Sequence, residues 1–191
     1  MESVDTRCPW CLGSDRYKAY HDLEWGRPVR DEQKMFEYLI LETFQAGLSW
    51  ITILNKRDNF REAFFDFNAD KIAQMGEEDV DLLMQNAGII RNRKKIEAAI
   101  HNAKILKVMH HRDERLVDVL WSYLDKKPLN MQRASMEDVP AVTDLAVTIS
   151  KELKKLGFKF IGPTTMYAHM QASGMVNDHL VSCPAYEECL E

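Results

Sequence analysis

The chain has 191 residues, 46% of them hydrophobic and 29% charged, which is enough for one sizeable core and excludes a disordered or fibrous chain. Lys and Arg number 25 against 30 Asp and Glu, and the net charge of −5 argues against a globally basic nucleic-acid binder, so such a partner needs a local patch. No apolar run reaches the roughly eighteen residues of a membrane span, and the stretch MESVDTRCPW lacks the apolar core of a secretion signal. The four cysteines, at 8, 11, 183 and 189, are then expected in a reducing cytoplasm, where metal sites and free thiols outnumber disulfides.

In chain order, Asp31 can cap a first clear helix, on which Met35, Leu39, Glu42 and Ala46 fall at i, i+4, i+7 and i+11 and share one face. Three of these are apolar and the fourth is a carboxylate. Gly47 interrupts the pattern, and Ser49 can cap the next helix, where Trp50, Ile53 and Leu54 share a face. The stretch LMQNAGIIRNRKKIEAAI predicts a helix, a tight turn at Gly88 and a second helix capped by Asn92, with Ile96, Ala99, Ile100, Ala103 and Leu106 as its apolar stripe. Residues 125–140 read as a connector. Leu145, Ile149, Leu153 and Leu156 form another stripe, stopped by Gly157, and Pro163 can start a helix that ends at Gly174. His110 and His111 read as solvated. With no convincing alternating strand, the expected class is all-α.

Three features call for chemistry. Glu42 is aimed at the interior, where a carboxylate costs several kcal/mol unless paired or hydrogen-bonded. It is either a structural group bonding a nearby helix N-terminus, with Ser49 the candidate, or a group that recognises a ligand. From Arg91 to Lys107 there are six Lys or Arg against one Glu, a local excess of +5. Arg93, Lys94 and Lys95 occupy a first helical turn, where cations oppose the macrodipole. Beside a glycine turn, that pattern fits either a phosphate grip, as in a helix–hairpin–helix element, or a solvated basic face. Finally, His179 and Cys183 would project from one face if helical, while the other end offers Cys8, Cys11 and His21. One Cys and one His from each end would build a closed tetrahedral Cys2His2 zinc site. A knuckle from Cys8 and Cys11, or no metal at all, fits the spacing as well.

The stretches YHDLEWG (20–26), LETFQAGLSWITIL (41–54), AGIIRNRKKI (87–96), GFKFIGPTTMYAHMQASG (157–174) and VNDHLVSC (176–183) resemble the bacterial 3-methyladenine DNA glycosylase I family. The likeness runs over nearly the whole chain. It implies a compact helical fold of the helix–hairpin–helix glycosylase superfamily, as a single domain over 1–191. A zinc-binding lobe would come from 1–30 and 160–191, and a hairpin would lie near 77–107. It implies a structural zinc joining the two ends through Cys8, His21, His179 and Cys183, which leaves Cys11 and Cys189 as free thiols.

The resemblance also implies a base pocket and a DNA grip. Glu42 would be the catalytic or recognition carboxylate, with Tyr20 and Trp50 as aromatic walls and Tyr17, Trp10 and Trp25 contributing. Gly47 and Leu48 match residues that enter the DNA stack. Gly88, Arg91, Arg93, Lys94 and Lys95 would hold the backbone. Thr43 and Phe44 stand where some relatives carry smaller or more polar residues. The expected activity is hydrolytic excision of 3-methyladenine from alkylated double-stranded DNA, by a cytoplasmic monomer without strand cleavage. Rival expectations are a non-catalytic binder of damaged DNA and a zinc hydrolase of small molecules. The latter needs an open metal position that four protein ligands do not leave.

Overall fold

The computed structural model describes residues 5–190, and among them ten α-helices carry the fold. They are α1 (Asp15–Leu23), α2 (Glu32–Gln45), α3 (Trp50–Ala63), α4 (Ala69–Ile72), α5 (Glu77–Gln85), α6 (Arg93–His110), α7 (Leu116–Ser122), α8 (Asp144–Lys155), α9 (Pro163–Ala172) and α10 (Pro184–Glu188). The caps read from the sequence hold in place. Asp31 accepts from the Lys34 N–H at the start of α2, and Asn92 accepts from the Lys95 N–H at the start of α6. Ser49 precedes α3 as expected, but its hydroxyl pairs with Thr52 Oγ1 at 2.8 Å rather than with a backbone N–H.

α2 is the axis of the molecule. Every residue from Met35 to Phe44 is buried, and the helix packs against α3, α6, α7 and α9. A helix apolar nearly all round must be covered on every side, and that enclosure is what makes a carboxylate on it informative. Glu32, at its exposed start, accepts from the Leu116 and Val117 N–H groups at 2.9 and 2.8 Å and so caps α7 from a distance. The same carboxylate pairs with His110 Nε2 at 2.9 Å, so that histidine is half-engaged with the body rather than simply solvated. Phe44 on α2 packs at a tilt against Phe60 and Phe64, whose rings stack on each other.

Two expectations need correction. Residues 125–140 are more than a connector. Leu129–Asn130 (β1) pairs in parallel with Val176–Asn177 (β2), and Arg133 bridges to Leu180, so the stretch is stitched to the C-terminal segment. Two-residue strands carry no alternation for a sequence to display. Second, His179 and Cys183 do not share a helix face. Asp178 and His179 lie outside any helix, and Cys183 is the N-cap of α10 after a turn. The four-residue spacing works because a tight turn folds back over that distance as a helical turn does.

Candidate active site

Cys8, His21, His179 and Cys183 are all buried, and their ligand atoms lie within 4.8 Å of one another, a group able to hold a metal ion. Cys8 Sγ is 3.7 Å from His179 Nδ1, His21 Nε2 is 3.1 Å from the same atom, and Cys183 Sγ lies 3.5 and 3.8 Å from the two imidazoles. The outward ring nitrogens are engaged as well. His21 Nδ1 faces Asp22 Oδ1 at 2.8 Å, and His179 Nε2 faces the Trp25 carbonyl at 3.0 Å. Those contacts make each outward nitrogen the N–H and leave the inward one a bare donor pair, the tautomer a metal requires. The Leu180 N–H donates to Cys8 Sγ at 3.4 Å. Cys11 stands apart, its thiol donating to the Cys8 carbonyl at 3.1 Å, so the pairing of Cys8 with Cys11 as a knuckle is set aside by geometry. Cys189 is also buried outside the group.

The same elements build a pocket of about 280 Å³, near the small end of ligand pockets and suited to one fused ring system. Its walls include Trp10, Tyr17, Tyr20, Trp25, Glu42 and Trp50, so the six residues expected there converge from four segments. Trp10 packs edge-on against Tyr17 and Trp25 with centroids 4.9 Å apart in each pair, and Tyr20 lies 5.4 Å from Trp50. Trp25 also packs edge-on against His179 at 4.6 Å. The pocket's rear wall therefore stands on the Cys8, His21, His179 and Cys183 group.

Glu42 is 4% exposed and finds no hydrogen-bond partner among the described residues. It does not reach Ser49, so it is not the structural cap its sequence allowed. Burial alone pushes its carboxyl up to about 8. Within the protein alone, burial favours the protonated carboxyl over the carboxylate. Burial, with Glu42 second, also holds the Tyr20 phenol well above its ordinary range. The Trp50 indole N–H is buried without a partner. Thr43 and Phe44 are fully buried and line no part of the pocket, Thr43 Oγ1 donating to the Leu39 carbonyl. Sequence reasoning missed Gln45, Met136, Val139, Ala168 and Gln171 as lining residues. Ala168 and Gln171, one turn apart on α9, and Gln45, one turn after Glu42 on α2, left a signal that could have been read.

Gln45 and Trp50 on the pocket wall bracket the loop that carries Gly47 and Leu48. Gly47 sits at φ +85° with nothing near the position a Cβ would take, and Leu48 is 39% exposed. The basic turn is more divided than its sequence suggested. Lys95 is buried, its Nζ donating to the Phe44 and Ala46 carbonyls at 2.9 and 2.7 Å. As a phosphate contact Lys95 is therefore corrected: it neutralises the carbonyl end of α2, where a cation is favoured. Arg93 pairs with Glu77, Asp81 and Glu97. Arg91 and Lys94 are exposed and form no ion pair among the described residues. At Gly88, a Cβ would lie 2.9 Å from Asn86 Oδ1 and 3.0 Å from Asn59, so the turn is packed tightly onto α3.

A helical body that holds one carboxyl among aromatic walls, in a cavity the size of a single base, is the build of a base-excising glycosylase, a hydrolase of N-glycosidic bonds. The profile of the methyladenine glycosylases matches residues 10–186, and the chain belongs to that family. It is 49% identical over 181 residues to the DNA-3-methyladenine glycosylase of Haemophilus influenzae, covering 95% of this chain and 98% of that one. The crystal structure of 3-methyladenine DNA glycosylase I superposes with a TM-score of 0.91 at 48% identity, over 93% of this chain and 98% of that chain. A tyrosine-to-phenylalanine variant of 3-methyladenine DNA glycosylase I, solved in complex with 3-methyladenine, gives 0.89 at 39% identity over 94% and 96%.

Proposed function

We propose that this chain flips alkylated adenine out of double-stranded DNA and hydrolyses its glycosidic bond, releasing 3-methyladenine. The single observation that carries this reading is Glu42, a buried carboxyl with no hydrogen-bond partner among the described residues, set among aromatic rings. A base inside a duplex is out of reach, so it must leave the stack. Methylation at N3 gives the adenine a positive charge while still bonded to the sugar. Aromatic faces attract such a ring, and it supplies what ionises Glu42: a cation with N–H donors. A neutral base gives less of this help, so the carboxyl distinguishes damaged from undamaged adenine. When the bond from sugar C1′ to the base nitrogen breaks, its electron pair neutralises the ring, and a water oxygen takes its place at C1′ with loss of a proton. The leaving base needs no acid to protonate it. That agrees with the basic helix, where the one carboxylate, Glu97, is exposed beside Arg93.

For the metal, the reading is one structural zinc per chain. Zinc with sulfur at about 2.3 Å and nitrogen at about 2.0–2.1 Å has tetrahedral edges of about 3.3–3.8 Å. The contacts of 3.1 to 3.8 Å in the group fit that size. When bound, it supplies no reaction chemistry, because four protein ligands fill its positions. Cys8 and His21 bring the N-terminal segment to His179 and Cys183, and that union seats Trp10 and Trp25 against the base. The whole chain acts as a single glycosylase domain, a monomer in the cytoplasm. No helix is long and apolar enough to cross a membrane. α5 and α6 serve as the helix–hairpin–helix grip, with Gly88, Arg91 and Lys94 toward phosphate, Arg93 bracing the hairpin, and Gly47 and Leu48 filling the gap left by the flipped base.

The test is incubation of the protein with methylated duplex DNA and chromatography of the released bases. Free 3-methyladenine is the expected product, with slower release by Glu42→Gln. Tight binding of methylated DNA without any released base would replace this reading with that of a non-catalytic binder.

A further inference from the structure

Gln171 lines the pocket from α9, and its surroundings fix which end of its amide faces inward. Its Nε2 donates to Asp178 Oδ2 at 2.8 Å. Asp178 is 1% exposed and collects two further donors, Arg133 Nε on Oδ1 at 2.8 Å and the Tyr167 hydroxyl on Oδ2. A carboxylate held by a guanidinium and a phenol accepts only, so the group it meets on Gln171 must be the NH2. Turning the amide over would set a carbonyl oxygen against a carboxylate. The outer oxygen, Oε1, has no hydrogen-bond partner among the described residues and keeps some exposure. That leaves it free to accept from a ligand in the pocket its residue lines. Gln45 is turned the same way, its Nε2 committed to the Leu48 carbonyl at 2.7 Å.

We propose that Gln171 is a second base-recognition residue, whose carboxamide, oriented by Asp178, offers the flipped base its oxygen as a hydrogen-bond acceptor. This rests on the reading of the pocket as a base site. With Glu42 it gives the pocket oxygen acceptors at separate points, which suit the amino group and positive ring of an alkylated adenine. The same oxygens oppose the carbonyl edge of an equally alkylated guanine. Discrimination then lies in a fixed amide as well as in the carboxyl, and Asp178 is the positioning residue that stops the amide from turning to suit either base.

The experiment compares kcat/KM for 3-methyladenine and 3-methylguanine release from duplex DNA by the full-length protein, with melting temperatures recorded alongside. Gln171→Met and Gln171→Leu keep bulk and remove the acceptor. Each is expected to lose about ten-fold on 3-methyladenine, the loss of one charge-assisted hydrogen bond, and to change little on 3-methylguanine, so the ratio narrows. Asp178→Asn leaves the amide free to turn and should narrow the ratio too, beyond what its lower melting temperature explains by equal losses on both bases. Folded Gln171 variants that keep the wild-type ratio would overturn the proposal while leaving the glycosylase reading intact. A wild-type protein that releases neither base would instead overturn that reading, and this inference with it.

Discussion

On either side of Trp25 lie two buried groups of polar side chains, built on opposite terms. In the Cys8, His21, His179 and Cys183 group every inward atom faces another, and both outward ring nitrogens face a partner, Asp22 or the Trp25 carbonyl. In the pocket, the Glu42 carboxyl and the Trp50 indole N–H find no partner among the described residues. Buried polar groups are nearly always paired. A satisfied cluster therefore reads as something that holds the molecule together, and an unsatisfied one as something a ligand completes. The two share a wall, because Trp25 packs on His179 and lines the pocket.

The sharpest way to break that contrast is at the closed group. Cys8→Ser should lose the metal and lower the melting temperature by more than about 10 °C. It should also weaken binding of 3-methyladenine, because the wall at Trp10 and Trp25 loses its footing. Cys11→Ser should keep both metal and stability. Mass spectrometry for zinc and a thermal melt read the outcome, and metal lost from Cys11→Ser but kept by Cys8→Ser would reverse the ligand assignment.

The open group responds differently. Glu42→Gln should weaken 3-methyladenine binding and slow excision by about ten- to a hundred-fold, the loss of one charge-assisted hydrogen bond, while stability moves the other way. The folded chain holds the Glu42 proton to about pH 8, against an ordinary 4.5. Folding therefore takes up a proton between those values. The stability of the neutral form is present below 4.5 and is lost as pH rises through 8, by about 5 kcal/mol at most. Glu42→Gln should melt higher than wild type at pH 9 and close to it at pH 5. A capping carboxylate would give the reverse, a lower melting temperature with base affinity preserved.

Smaller effects separate residues that look alike in sequence. Leu48→Ala should cost about ten-fold in excision from duplex DNA with little loss of free-base affinity, since an inserted side chain offsets unstacking only when a base leaves the stack. Lys94→Ala should flatten the salt dependence of DNA binding by about one counterion. Lys95→Met should leave that slope alone and lower the melting temperature instead, as its ammonium belongs to the carbonyl end of α2. Equal changes in slope from both would return Lys95 to the phosphate face.

Much of this was legible in the sequence where a periodicity or a cap carried it. The face of Met35, Leu39 and Glu42, the cap at Asn92 and the stripe from Ile96 to Leu106 each lie in the helices expected. Other features depended on partners distant in sequence. Nothing local distinguishes Lys95 from Lys94, because the carbonyls that claim Lys95 lie some fifty positions earlier. Residues 125–140 looked like a connector because pairings as short as β1 with β2 carry no pattern, although Met136 and Val139 reach the pocket from there. The position of Glu42 on an apolar face was visible, but its protonation was not. That follows from how completely the surrounding helices bury it, which only the packed structure reveals.

The central claim is that Glu42 is an acceptor left unpaired for a base, and its own titration tests this most directly. Carbon-13 NMR of glutamate-labelled protein, with the Glu42 signal assigned by its absence in Glu42→Gln, gives that titration with and without 3-methyladenine. The account predicts a pKa near 8 in the protein alone, falling when the base is bound, because N–H donors then stabilise the carboxylate. A Glu42 that titrates near 4.5 on its own, or whose titration is unmoved by the bound base, would contradict it.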